Sequence, residues 1–225
     1  MHTAWALWDV YHQERLLRKL HAVGRALACP FNRVLPHLDV GGELLEVGCG
    51  YGILWQLAML RNGVAADRRL VGIDHAIDKI QVARRAARPM MEFSNAALET
   101  LAAARFDAVV LVDVLCCIRL DRWPAILGEC RRVMKPGGRL IVKEVVNRPR
   151  WRYWLTLLEE ILAARVFRFT RGDWPHFESA EAYRNAVESA GFQVIESFPC
   201  RTWHPASQHL WVVVKPERAA HDNVR

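Results

Sequence analysis

Glu46, Gly48, Gly50, Gly52 and Asp74 are the residues whose types and spacing could do chemistry. The stretch from Leu44 to Gly52 reads L-L-E-V-G-C-G-Y-G, and an apolar run follows it. An apolar run ending in a carboxylate, then Gly-x-Gly-x-Gly, predicts a strand turning tightly into a helix. Such a turn offers bare backbone N–H groups to a ligand. Asp74 lies 74 − 52 = 22 residues past the last glycine and closes a second apolar run, Leu70 to Ile73. A carboxylate at that place can accept both hydroxyls of a ribose. These residues predict a nucleoside-containing cofactor.

The spacing argues against a nicotinamide dinucleotide. Its fingerprint is G-x-G-x-x-G, whereas position 53 here is Ile and the third glycine comes one residue early. Glu46 would also repel a pyrophosphate beside it. The same carboxylate suits a ligand bearing an ammonium or sulfonium charge. E-V-G-C-G-Y-G resembles the first motif of the class I S-adenosylmethionine-dependent methyltransferases. The likeness continues through V-G-I-D, F-D-A-V-V-L-V-D-V-L and V-M-K-P-G-G-R-L-I-V, covering Leu44 to Val145 well and Ala180 to Pro216 more loosely.

The resemblance implies S-adenosyl-L-methionine as cofactor. Glu46, Gly48, Gly50, Tyr51 and Gly52 would lie along its methionine portion, with Asp74 and His75 at the ribose. Asn95 and Ala96 would meet the adenine, with asparagine standing where the family usually has aspartate. An asparagine oxygen can accept the same hydrogen bond. Asp113 would face the methionine end or the acceptor; a structural hydrogen bond is the alternative.

Methyl transfer is an in-line displacement that needs alignment and sometimes a base. Candidate catalytic residues are Glu144, ending the fifth strand, and His176, in the loop D-W-P-H-F. An ion pair with Lys143 or a nearby arginine is the plainer reading of Glu144. His204 and His209 are weaker candidates, and Cys116 and Cys117 read as packing residues.

Strands are expected over Leu44 to Val47, Leu70 to Ile73, Met90 to Ser94, Phe106 to Val114, Arg139 to Val146, Gln193 to Phe198 and Leu210 to Val214. Helices are expected over Ile53 to Leu60, Ile77 to Ala87, about Asp121 to Val133, Trp151 to Phe167, and from a Ser179 cap to Ala190. Alternation of strand and helix implies an α/β, doubly wound, mostly parallel sheet. The resemblance implies seven strands, finished by an antiparallel hairpin. Before it, Leu16, Leu17, Leu20, Val23 and Leu27 recur at helical spacing among Arg15, Arg18, Lys19 and Arg25. The expected organisation is a helical cap over 1–42, a methyltransferase domain over 43–216 with an acceptor-side insertion near 148–178, and a frayed tail over 217–225.

The chain has 225 residues, 52% of them hydrophobic, enough for one domain with a sizeable core. No apolar run reaches the roughly 20 residues of a membrane span. The first residues lack the pattern of a secretory signal. Six cysteines without C-x-x-C spacing fit a reducing cytoplasm and give no metal-ligand set. A net charge of +7 suits an anionic partner or simply confers solubility. Arginines and aromatics alternate from Arg148 to Trp174. The plain reading is a helix with its aromatic stripe in the core and its arginines solvated. The sharper one is a lid and docking surface for a large acceptor, small-molecule or carrier-protein-bound, methylated on oxygen or carbon. Nucleic acid ranks lower, because no N-P-P-Y-like sequence follows the fourth strand. The rival readings are a nicotinamide-dependent oxidoreductase and a non-catalytic partner-binding subunit of the same fold.

Overall fold

The computed structural model describes residues 2–61, 68–147, 176–200 and 206–217. The helix expected over Trp151 to Phe167, the arginine–aromatic alternation up to Trp174, and His204 lie outside these residues.

Seven strands form one sheet: β1 (Glu43–Val47), β2 (Arg69–Ile73), β3 (Met91–Ser94), β4 (Phe106–Val112), β5 (Met134–Val145), β6 (Gln193–Cys200) and β7 (Gln208–Val214). Their order is β3-β2-β1-β4-β5-β7-β6. The first five run parallel, while β7 is antiparallel to both β5 and β6. The expected doubly wound sheet with its terminal hairpin is thus present. Strand order reverses between β1 and β4, so a crevice opens at the C-terminal ends of those two strands.

The helices are α1 (His2–Val10), α2 (Leu16–Ala28), α3 (Phe31–Val34), α4 (Ile53–Leu60), α5 (Ile77–Arg85), α6 (Trp123–Val133) and α7 (Ala180–Ser189). Alternate strand residues face opposite layers. Leu44, Ala108 and Val110 join the cluster under α1 to α5, containing Leu7, Val23, Leu54, Trp55 and Ile80. Leu45, Val109 and Leu111 join the cluster under α6 and α7, containing Trp123, Leu127, Tyr183 and Val187. The near-continuous apolar run of β4 is therefore buried on both faces.

At β4 and β5 the strand boundaries differ from expectation for local reasons. β4 stops at Val112 because Asp113 takes a left-handed φ of 55° and turns the chain. β5 begins at Met134, with Lys135–Gly138 bulged opposite Asp107 where register shifts between Phe106 and Ala108. In α2, a helix as expected, only part of the apolar period faces the core. Ala22 and Val23 are buried, whereas Leu16, Leu17 and Leu20 are 60%, 59% and 50% exposed.

Candidate active site

The glycine turn after β1 is tied to the end of β2. Gly48 and Cys49 donate their backbone N–H groups to the Ile73 carbonyl at 2.8 and 3.0 Å. Asp74 completes the tie: one carboxylate oxygen accepts from Gly50 N and the other from Ala76 N, both at 2.8 Å. The glycine turn and the start of α5 thus share one carboxylate. Each oxygen keeps a further lone pair for a ligand hydroxyl.

The glycines of this turn do different work. Gly52 has φ 75°, and a Cβ there would lie 2.5 Å from Phe93 Cζ, so close packing demands its smallness. Gly50 has φ 54°, but a Cβ there would meet nothing within 4 Å. Open space over Gly50 is where a ligand can lie against bare backbone.

Glu46 faces the same crevice. The residue is 4% exposed, and its Oε2 has no hydrogen-bond partner among the described residues. Burial pushes its pKa well above the ordinary glutamate range; Arg25 opposes this and Asp74 adds to it. A buried carboxyl with an unused oxygen is a receptor for a cation, which would restore its charge. The orphaned Glu46 oxygen and the space over Gly50 fit the amino-acid portion of S-adenosylmethionine.

Asp113 does not stand open to the crevice. Lys143 Nζ contacts its two oxygens at 2.6 and 2.9 Å, and Arg25 Nη1 contacts it at 2.7 Å. Burial raises the Asp113 pKa, but the two cations outweigh it and hold the carboxyl below the usual range. For Lys143 burial acts to lower the pKa, and Asp113 outweighs it, so the ammonium stays charged. The structural alternative for Asp113 describes its contacts.

Glu144 points the other way from Lys143, as neighbouring strand residues must. That direction rules out the ion pair between them. The Glu144 carboxylate is fully buried and accepts backbone N–H groups from Val114, Leu115 and Cys116 at 3.0, 2.8 and 3.3 Å. Burial and the nearby Asp113 raise its pKa to about 7 against those hydrogen bonds. Its contacts hold the turn that follows β4. His176 lies beside that turn, its backbone N–H donating to the Cys116 carbonyl at 2.7 Å. Phe177 packs there with Cys116 and Val145. Glu144 and His176 therefore meet the same short segment, from inside and from the rim.

The remaining expected residues have the following surroundings. Asn95 Nδ2 donates to the Asp74 carbonyl at 2.7 Å, so the asparagine braces Asp74. Ala96 packs partly buried against the α6 layer. His75 is 70% exposed, with Nδ1 at 3.7 Å from Asp74. Tyr51 is turned toward the N-terminal helices: its ring meets His21 edge-on at 5.2 Å and its carbonyl accepts from Tyr11 Oη at 2.8 Å. His209 bonds Ser197 at 2.9 Å, within the terminal hairpin.

Arg25, Lys143 and Tyr11 were not singled out by motif. Lys143 had a signal, being as foreign to the apolar run Leu140 to Val146 as Asp113 is to its own. Arg25 had none, because one of several arginines on a helix carries no mark of where it reaches.

A family model described as a methyltransferase domain matches residues 18–197. A ubiquinone biosynthesis O-methyltransferase of Cereibacter sphaeroides (strain ATCC 17025 / ATH 2.4.3) is 31% identical over 185 residues, covering 79% of this chain and 72% of that protein. One from Neisseria meningitidis serogroup C (strain 053442) is 30% identical over 180 residues, covering 76% and 72%. The fold matches an S-adenosylmethionine-dependent methyltransferase of Methanosarcina mazei, with TM-score 0.63, 18% identity, and 83% and 98% of the two chains covered. It also matches a geranyl diphosphate C-methyltransferase of Streptomyces coelicolor A3(2) in complex with Mg2+, geranyl diphosphate and S-adenosyl-L-homocysteine, with TM-score 0.64, 15% identity, and 88% and 83% covered. With the family matched over most of its length and the glycine turn, Glu46 and Asp74 in place, the chain belongs to the class I S-adenosylmethionine-dependent methyltransferases.

Proposed function

We propose that the protein moves a methyl group to an oxygen of a small, lipophilic or aromatic acceptor, working in a reducing cytoplasm. The observation that carries the cofactor side is the unpartnered Glu46 oxygen next to the open space over Gly50. Oxygen is favoured as the receiving atom because the relatives at 30–31% identity are named as O-methyltransferases of ubiquinone biosynthesis. The cysteines, all free thiols, suit the reducing compartment.

When bound, the cofactor supplies a methyl group already activated on a sulfonium. In this reading Glu46 holds the ammonium, Asp74 accepts from the ribose hydroxyls, and the free Oδ1 of Asn95 accepts from the adenine amino group. Tyr51, His75 and Ala96 would complete the walls. The helices over 2–38 would cover the crevice as a cap, with Arg25 setting the charge beside Glu46. His176 would take the acceptor proton as the general base. Glu144 would act as a positioning residue, fixing the turn against which His176 is held.

The test is a mass-spectrometric screen of phenolic and carrier-bound acceptors for a gain of one methyl. An acceptor found this way should lose at least about a hundredfold in kcat with His176→Ala, with the cofactor KM unchanged. An unaltered kcat would remove His176 as the base. Methylation found only on nitrogen or carbon would remove the oxygen assignment.

A further inference from the structure

The two faces of α2 meet different surroundings. Its inner face buries Ala22 and Val23, sets His21 against Tyr51 and sends Arg25 to Asp113. Its outer face leaves Leu16, Leu17 and Leu20 at least half exposed. Trp5, 57% exposed, stands one turn from Trp8 on α1, and the Lys19 ammonium lies 5.1 Å from the Trp8 ring. Arg15 is exposed beside the leucines. At the start of α5, Ile77 is 57% exposed, and its neighbours Asp78 and Lys79 lie within electrostatic reach of Arg18 and His21. Five of the seven large exposed apolar residues among those described are thus carried by α1, α2 and the start of α5. The inner side of the same helix meets the glycine turn through His21 and Tyr51, and Ile77 follows Asp74 by three residues.

From this surface we infer that the α1–α2 hairpin docks flat on an anionic bilayer, with Leu16, Leu17, Leu20 and Trp5 in the headgroup boundary. Arg15 and Lys19 sit among the apolar residues, where lipid phosphates would meet them. A solvated helix face would carry polar side chains at 16, 17 and 20. Among the described residues no helix is long and apolar enough to cross a membrane, so the contact is one of lying on the surface. Tryptophan suits that boundary, with an apolar body and a polar edge. The net charge of +7 adds a long-range attraction to anionic lipid. A second copy of the chain fits less well: a two-fold contact through this face would bring Arg15 and Lys19 of one copy toward those of the other. The functional gain rests on the lipophilic-acceptor reading, since α2 would lie between the bilayer and the crevice that it covers.

The test is flotation of the full chain with vesicles of equal parts phosphatidylcholine and phosphatidylglycerol, against phosphatidylcholine alone. Binding to the anionic vesicles only, weakened by added salt, is expected. The combined Leu16→Gln, Leu17→Gln, Leu20→Gln variant should bind them at least about tenfold less, as should Arg15→Glu with Lys19→Glu. Both variants should hold S-adenosylhomocysteine as the parent does, which keeps this test separate from the cofactor and acceptor assignments. Failure of the parent to float, or equal flotation of the variants, would overturn the proposal. So would light scattering that shows a dimer dispersed by the leucine substitutions, which would assign the face to a second copy.

Discussion

Arg25 and Asp113 meet at 2.7 Å across the gap between the second helix and the end of the fourth strand. Lys143 holds the same carboxylate from the fifth strand at 2.6 Å. One carboxylate thus pairs a cation of the N-terminal helices with a cation of the sheet. The turn it sits on carries the Val114–Cys116 amides that Glu144 accepts. The position of α2, the local charge at Glu46 and the shape of the acceptor-side turn are therefore physically connected.

Asp113→Asn is expected to cost about 3–5 kcal/mol, because it leaves Lys143 buried without an anion. Asparagine tolerates the left-handed backbone, so the loss reports charge and not strain. The sign with pH follows from the lowered folded-state pKa. The contribution is full above the ordinary aspartate value of 3.8 and fades as pH falls below it. Urea denaturation at neutral pH checks the magnitude; a loss below about 1 kcal/mol would mean the pair acts like a surface one.

Arg25→Met should leave the fold nearly unchanged, since Lys143 still pairs Asp113 and Arg25 is a third exposed. Cofactor affinity should fall by about tenfold, the effect of losing one nearby charge at a binding site. Removing this cation lets the Glu46 pKa rise further, so less of the anion is present to take an ammonium. Calorimetric titration with S-adenosylhomocysteine reads the effect, and undiminished binding would disprove the coupling.

Glu46→Gln should weaken cofactor binding by about 2–4 kcal/mol and yet raise thermal stability near neutral pH. A carboxyl whose folded pKa is raised binds more protons folded than unfolded. Stability therefore falls as pH climbs above the ordinary value of 4.5. Glu144, raised to about 7, acts in the same direction. In the parent, cofactor binding should release a proton, seen as a heat that depends on the buffer; the variant should show less. Equal proton release in both would place the titrating group elsewhere.

Gly50→Ala and Gly52→Ala should separate binding from folding. At Gly52 the new methyl meets Phe93 and the φ of 75° is strained, so a loss of about 2–4 kcal/mol of stability is expected. At Gly50 only the backbone strain applies, about 1–2 kcal/mol, while the methyl enters the space proposed for the cofactor. Thermal melts with and without S-adenosylhomocysteine distinguish them. A Gly50→Ala protein stabilised by the ligand as fully as the parent would show that space to be unused.

Much of this protein is local in its sequence. The glycine turn, the apolar run of β4 and the Ser179 cap, whose Oγ accepts from Ala182 N at 3.1 Å, depend on neighbours a few residues apart. The strand ends near Glu46 and Asp74 follow from the same short-range pattern, so the place of the crevice is legible in the sequence. Periodicity marked α2 as a helix, but it records where apolar residues recur and not which side the core lies on.

What only the tertiary structure decided is which charges meet. Asp113 is separated from Lys143 by 30 residues and from Arg25 by 88. Long-range pairing depends on strand register and on where α2 docks, neither of which is encoded in spacing along the chain. Strand alternation points Glu144 away from Lys143, and the fold places the Val114–Cys116 amides where its carboxylate can accept them. Residue types and their spacing thus determined the ligand chemistry of the crevice. The packing of sheet and helices decided which carboxylate stays unpaired to meet a cation and which is already held, since that depends on burial and on partners distant in sequence.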